Sequence, residues 1–323
     1  MRRREFIARL GSAAGWSVVA RAQQAAMPVT GILVSAAPLN TDTLAGLRKG
    51  LSDLGYEEGK NVAIVVRSAE RYDQLPALTA DLVRQQVSVI VAVGLPAALA
   101  AKTATATIPI VFFAGDDPVR AGLVTSFGRP SANLTGVTNL ASALFLKRLG
   151  LLRELVPTAG VFGVLVNEEN PNTERRRSDL EQAAGSIGQK ISVLNATREE
   201  DFEIAFAAAV QQHVIALLIS DDSLFSSRTE QLAALANSHG LPTISFNREF
   251  AAAGGLISYA APRGQVYHQI GLYVGRILKG QRPADLPVIQ SIKFELLINL
   301  KTAKALGLTI PETLLATADE VIQ

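Results

Sequence analysis

The residues best placed to do chemistry in this chain are polar groups that follow short apolar runs. Gly94-Leu95-Pro96 comes directly after the run 87–93 and opens an alanine-rich helical pattern. A helix starting there presents backbone N–H groups and the positive end of its dipole, a setting for a carboxylate or a polar ligand oxygen. Asp116, in Asp116-Asp117-Pro118, follows the run 108–113, with Asp117 positioning the turn before proline. Asn170, within Asn167-Glu168-Glu169-Asn170-Pro171-Asn172, and Asp221, within Ser220-Asp221-Asp222-Ser223, follow two further runs. Each cluster holds more polar residues than a helix cap needs. An aspartate at 221 suits a ligand ammonium through a charge-assisted bond. Ser35 and Tyr259 are weaker candidates of the same kind. An ordinary turn or capping role is the competing reading for every one of these residues.

Familiar catalytic arrangements do not occur. The chain has no G-x-S-x-G, no G-x-G-x-x-G after a strand and no H-E-x-x-H. Gly55-Tyr56-Glu57-Glu58-Gly59-Lys60-Asn61 is one residue short of a phosphate loop and lacks its Ser/Thr. His213, His239 and His268 are scattered and not at metal-ligand spacing. There is no cysteine, which removes disulfides, thiolate nucleophiles and thiolate metal sites together. Arg175-Arg176-Arg177 reads as a solvated helix face. No enzymatic role, no cofactor and no metal are expected.

The elements that must position these loops alternate. Strand runs at 30–34, 62–66, 87–93 and 108–113 are interleaved with helical patterns, and the rhythm restarts after Thr135-Gly136-Val137-Thr138. There helices are expected at 144–155, 173–184, 201–211 and 224–238, and strands at 161–166, 191–194, 214–219 and 243–246. Continuous apolar strands without in/out alternation are buried on both faces, as in a parallel sheet covered by helices. The expectation is two doubly wound parallel-sheet lobes. After a strand at 254–259 a single helix at 267–278 is too little for a third domain. A return to the first lobe accounts for it and makes a multi-crossing hinge. The expected lobes are 28–137 plus about 259–286, and 138–258 plus about 287–323. Open α/β sheets bind ligands beyond the carboxyl ends of their strands, so the loops above should face one another across a cleft.

The N-terminus reads as an export leader. Arg3-Arg4-Glu5-Phe6-Ile7 precedes an uncharged stretch at 10–20, and Ala20-Arg21-Ala22 supplies a peptidase box, the form of a Tat signal cleaved near Ala22. The protein is therefore expected in the periplasm, with 301 of its 323 residues left after cleavage. The leader holds Arg2, Arg3, Arg4, Arg9 and Arg21 against Glu5, a surplus of four, so the overall +2 becomes about −2. A weakly acidic body gives no electrostatic reason to bind nucleic acid.

Several segments resemble one family. Arg129-Pro130-Ser131-Ala132-Asn133-Leu134-Thr135-Gly136-Val137 is similar to an R-P-G-x-N-x-T-G-V motif of ABC transporter substrate-binding proteins that include the tryptophan/tyrosine-type members. The stretch from Arg248-Glu249-Phe250 through Gly254-Gly255-Leu256-Ile257-Ser258-Tyr259 resembles its R-E-F-x-x-A-G-G-L-x-S-Y. So does the close, from Gly275-Arg276-Ile277-Leu278-Lys279-Gly280 to Ala318-Asp319-Glu320-Val321-Ile322. The resemblance implies a type I periplasmic-binding-protein-like fold and capture of a small organic molecule for an ABC importer. An amino acid, and an aromatic one, is the ligand class it suggests, with Gly94-Leu95-Pro96, Asp116 and Asp221 lining the cleft. Implied partners are the permease subunits at the inner membrane, with the binding protein itself monomeric. Leu95 departs from the hydroxyl residue often found there, which removes a carboxylate contact. The alternative is an extracytoplasmic sensing module reporting to a membrane receptor.

Overall fold

The apolar runs pair in parallel, in two separate sheets. The computed structural model describes residues 27–35, 39, 41–130, 132–158 and 160–323, and the leader at 1–22 lies outside them. In chain order the first run is β1 (Val29–Val34), α1 (Thr41–Ser52), β2 (Ala63–Ser68), α2 (Leu75–Arg84), β3 (Val89–Val93), α3 (Leu95–Ala104), β4 (Ile110–Ala114) and β5 (Leu134–Thr138). The second begins α4 (Ala141–Leu155), β6 (Val161–Val166), α5 (Thr173–Ser186), β7 (Lys190–Asn195), α6 (Asp201–Gln211) and β8 (Val214–Ile219). It continues through α7 (Ser223–Ser227), α8 (Thr229–Ser238), β9 (Thr243–Ser245), α9 (Arg248–Ala252) and β10 (Ile257–Ala260). The chain closes with α10 (Arg263–Leu278), β11 (Ile289–Gln290), β12 (Glu295–Asn299), α11 (Leu300–Ala305), α12 (Glu312–Thr317) and β13 (Glu320–Ile322).

The first sheet has the order β11-β5-β4-β3-β1-β2 and is parallel throughout. The second runs β13-β12-β10-β9-β8-β6-β7, with β10 and β12 antiparallel. Ile90, Val91 and Ala92 of β3 and Leu217, Leu218 and Ile219 of β8 are all fully buried, as strands covered by helices on both faces must be. Among the described residues no helix is long and apolar enough to cross a membrane.

The chain passes between lobes at 139–140, 261–262 and 291–294. The return depends on glycine. A Cβ on Gly50 of α1 would stand 2.1 Å from the His268 carbonyl of α10, and one on Gly271 would stand 2.3 Å from the Leu47 carbonyl. Bare backbones let α10 lie directly on α1, while Tyr267, Ile270 and Val274 fill the space against the first sheet. That contact outweighs the poor helix propensity of glycine.

Two junctions differ from the sequence-based boundaries. β10, which contains Tyr259, pairs with β9 and β12 and so belongs to the second sheet. β11, beyond 287, pairs with β5 in the first. Strands of four and two residues carry too little pattern to assign them to a sheet. The helix expected over 224–238 is split into α7 and α8 at Arg228, whose φ of −119° and ψ of 31° are not helical.

Candidate functional site

The carboxyl ends of both sets of strands meet around a cavity of about 370 Å³. Five of the eight residues singled out from sequence line it: Gly94, Leu95, Pro96, Asn170 and Asp221. Ser35, Asp116 and Tyr259 do not line it, and the structure gives each another task.

Ser35, at the end of β1, pins the Gly94 loop. Its Oγ donates to the Val93 carbonyl at 2.9 Å and accepts from the Ala97 N–H at 3.0 Å. Gly94 sits at φ 93°, and a Cβ there would lie 2.6 Å from Ser35 Oγ and 3.0 Å from Ser223 Oγ on the other lobe. Only glycine allows both the turn and the approach. The α3 start offers a guest less than expected. Pro96 has no N–H, Ser35 takes that of Ala97 and the Gly94 carbonyl takes that of Ala98, which leaves the Leu95 N–H.

Asp116 is buried and committed to Arg176 of the other lobe. Arg176 Nε and Nη2 donate to its two oxygens at 2.8 and 2.7 Å, and Arg176 Nη1 donates to the Asp221 carbonyl. Burial works against the Arg176 charge, but Asp116, backed by Asp222 and Asp221, more than offsets it and raises the guanidinium above its ordinary value. Arg176 is 6% exposed, so the solvated-face reading of 175–177 is corrected. Thr173, Arg176, Leu180 and Ala184 form the buried stripe of α5, and that spacing was the available signal.

Asp222 is a second hub. It caps α7 through the Leu224 N–H at 2.9 Å and accepts from Asn167 Nδ2 at 3.1 Å and Asn170 Nδ2 at 2.6 Å. From the first lobe the Tyr72 hydroxyl reaches both its oxygens, at 2.9 and 3.0 Å. Burial first, then the Asp222 carboxylate, pushes Tyr72 well above the usual tyrosine value, so it stays a donor.

Asp221 is the carboxylate nearest the expected role. Arg148 of α4, with no exposed surface, donates from Nη1 to Asp221 Oδ2 at 2.5 Å and from Nε to the Tyr259 carbonyl at 3.1 Å. Asp221 lines the cavity, and Arg148 engages only one of its two carboxylate oxygens. The Tyr259 ring packs against Phe294 of the crossing before β12, with centroids 5.8 Å apart. Tyr259 therefore contributes its backbone through Arg148, while its side chain does not line the cavity.

Much of the remaining wall is apolar and aromatic. Phe113 and Tyr267 approach with centroids 5.7 Å apart, and Val93 and Phe246 also line the space. Tyr267 Oη and Asn139 Oδ1 belong to lining residues, are buried and have no hydrogen-bond partner among the described residues. Buried polar atoms of that kind call for a partner from outside the chain. Sequence reasoning missed Tyr72, Phe113, Asn139, Arg148, Phe246 and Tyr267: Phe113 and Phe246 are apolar, Arg148 and Tyr267 lie within helices, and Tyr72 and Asn139, although they follow β2 and β5, were not singled out. No group of three or more His, Cys, Asp or Glu able to hold a metal occurs among the described residues.

Two parallel-sheet α/β lobes, crossed three times and enclosing a cavity at their strand ends, define a type I periplasmic-binding-protein-like fold. The chain belongs to the ABC transporter substrate binding protein family, whose family model matches residues 12–322. It is 27% identical over 266 residues to a tyrosine-binding protein of Clostridioides difficile (strain R20291), covering 81% of this chain and 76% of that one. A conserved domain protein from Vibrio cholerae O1 biovar El Tor superposes with a TM-score of 0.84 at 28% identity, over 91% of this chain and 99% of the other. An ABC domain from Streptococcus pneumonia, solved with L-Trp, shares the fold with a TM-score of 0.83 at 23% identity, again over 91% and 99%.

Proposed function

We propose that this chain captures a small organic ligand between its lobes outside the cytoplasmic membrane and delivers it to the permease subunits of an ABC importer. The observation that carries the reading is the 370 Å³ cavity walled by both lobes, since closure can be driven only by contacts made in the closed form. Its volume lies near the lower end for ligand pockets and suits a molecule of amino-acid size. An amino acid with an aromatic side chain fits the wall. Phe113, Tyr267 and Phe246 would meet the ring, and Asp221 Oδ1 with Asn139 Oδ1 would accept from the ammonium. The tyrosine-binding relative and the neighbour solved with L-Trp favour this class. The reading includes Tat export, removal of the leader near Ala22, action as a monomer and no catalysis of its own.

A thermal-shift screen of the twenty amino acids, organic acids and aromatic amines tests it. A ligand at a hundred times its Kd adds about 2.7 kcal/mol, which raises the midpoint of a lobe of this size by roughly 5–10 °C. Calorimetry should then find weaker binding of the hit to Asp221→Asn, which keeps an acceptor for Arg148 but loses the charge. No stabilising compound, or turnover of a bound one, would sink the reading.

A further inference from the structure

We infer that a latch built from protein groups alone holds the closed form, so the cleft shuts whether or not a guest is inside. Its consequence for affinity rests on the proposed ligand-binding role, but the latch itself does not. In a clamp driven only by its guest, the guest supplies the bridge between lobes. Here the lobes bridge each other directly. Arg176 of α5 grips Asp116, beyond β4, through two parallel bonds of 2.8 and 2.7 Å. Tyr72, in the turn before α2, donates to Asp222 beyond β8 at 2.9 Å. Arg263 at the start of α10 donates to Ser226 of α7 at 3.0 Å. At the rim Arg120 faces Asp179 at 3.3 Å.

Three of these groups are also held from within their own lobe. Arg176 Nη1 is tied to the Asp221 carbonyl, which leaves Nε and Nη2 aimed outward. Thr138 Oγ1 donates to the Asp116 carbonyl at 2.9 Å and steadies the receiving loop. Asp222 is fixed by Asn167, Asn170 and the Leu224 N–H before Tyr72 arrives. Side chains ordered beforehand lose little freedom on closing, so more of each bond's strength appears as closure. Gly94 belongs to the same device, because any side chain there would meet Ser223 from the facing lobe. A charge-assisted bidentate pair shifts a two-state balance by roughly ten- to a hundredfold. Ligand affinity gains the same factor until the closed form dominates.

The test uses ligand-free protein, stripped by unfolding and refolding under dialysis, so a failed ligand screen leaves it intact. The chain has no cysteine, so cysteines introduced at exposed Gln85 and Gln211 carry one dye pair across the lobes. Energy transfer and small-angle scattering then report the distribution between open and closed forms. Wild-type protein should read closed. The paired change Asp116→Asn with Arg176→Gln, which leaves neither charge alone, should lower the closed-to-open ratio by tenfold or more. Tyr72→Phe removes one hydroxyl and should open the cleft by a smaller factor, and it decides the matter if the paired variant does not fold. A wild-type protein already open without ligand, or variants with unchanged distributions, would overturn the latch.

Discussion

Replacing Arg148 with methionine tests the core of the site. Arg148 is fully buried, and its ionic partner Asp221 lies almost as deep at 6% exposure. Arg148→Met keeps most of the side-chain volume but strands the Asp221 carboxylate and strips the donor from the Tyr259 carbonyl. Breaking a buried pair by removing one partner costs about 3–5 kcal/mol. Asp221 also lines the cavity, so the lower end applies and the expected loss is about 3 kcal/mol. At roughly 2–4 °C per kcal/mol for a unit of this size, the melting midpoint of the second lobe should fall by roughly 6–12 °C.

Urea melts of Arg148→Met, Asp221→Leu and the double variant close a thermodynamic cycle. The double variant should be more stable than Arg148→Met alone, since replacing a whole buried pair with apolar groups is often neutral. Fluorescence and circular dichroism should be followed together, because two lobes need not unfold as one. A loss below about 1 kcal/mol for Arg148→Met, or strictly additive single effects, would refute the account of this pair.

Two further outcomes follow from packing and titration. Gly50→Val places a side chain against the His268 carbonyl of α10, where no rotamer gives relief. It should cost about 3 kcal/mol or more and expose α10 to limited proteolysis; an unchanged midpoint would disprove the close helix contact. Tyr72, Tyr259, Tyr267 and Tyr273 all have pKa values raised, chiefly by burial. A phenol raised in the folded state adds stability that is present below its unfolded value, about 10, and is lost as pH rises through the folded one. Stability should therefore fall above about pH 10, and Tyr267→Phe should flatten that fall. Because Tyr267 Oη has no partner among the described residues, the same change should be neutral or stabilising at pH 7 in a urea melt. A steep loss at pH 7 would show that the hydroxyl is bonded after all.

What could be read from the sequence was local. Continuous apolar strands pointed to the doubly wound lobes, and the Gly94-Leu95-Pro96 loop stood out as the opening of a helix after a strand, where the structure then places Gly94 at φ 93°. Asn170 and Asp221 were visible as polar excess at strand ends. Partnership across the lobes was not visible, because Asp116 and Arg176 are 60 residues apart and Tyr72 and Asp222 are 150 apart. A polar residue at a strand end has two rival uses in such a molecule: it can hold the guest, or it can hold the opposite lobe. Asp116 was read as the first and bonds Arg176 of the opposite lobe; Ser35, at the end of β1, pins the Gly94 turn after β3. Arg176 was hidden by its two charged neighbours, although it sits on the buried stripe with Leu180 and Ala184. Periodicity outranks charge there: a guanidinium on the apolar face of a helix needs an anion, and the facing strand end supplies one. The two rival uses also compete for the same oxygen atoms. Asp222, spent on Tyr72, Asn167, Asn170 and a helix cap, has little left for a ligand, whereas Asp221 gives one oxygen to Arg148 and keeps the other for the cleft. Of two adjacent aspartates, position along the strand end ties one across the lobes and leaves the other with a carboxylate oxygen not taken by Arg148 beside the cavity.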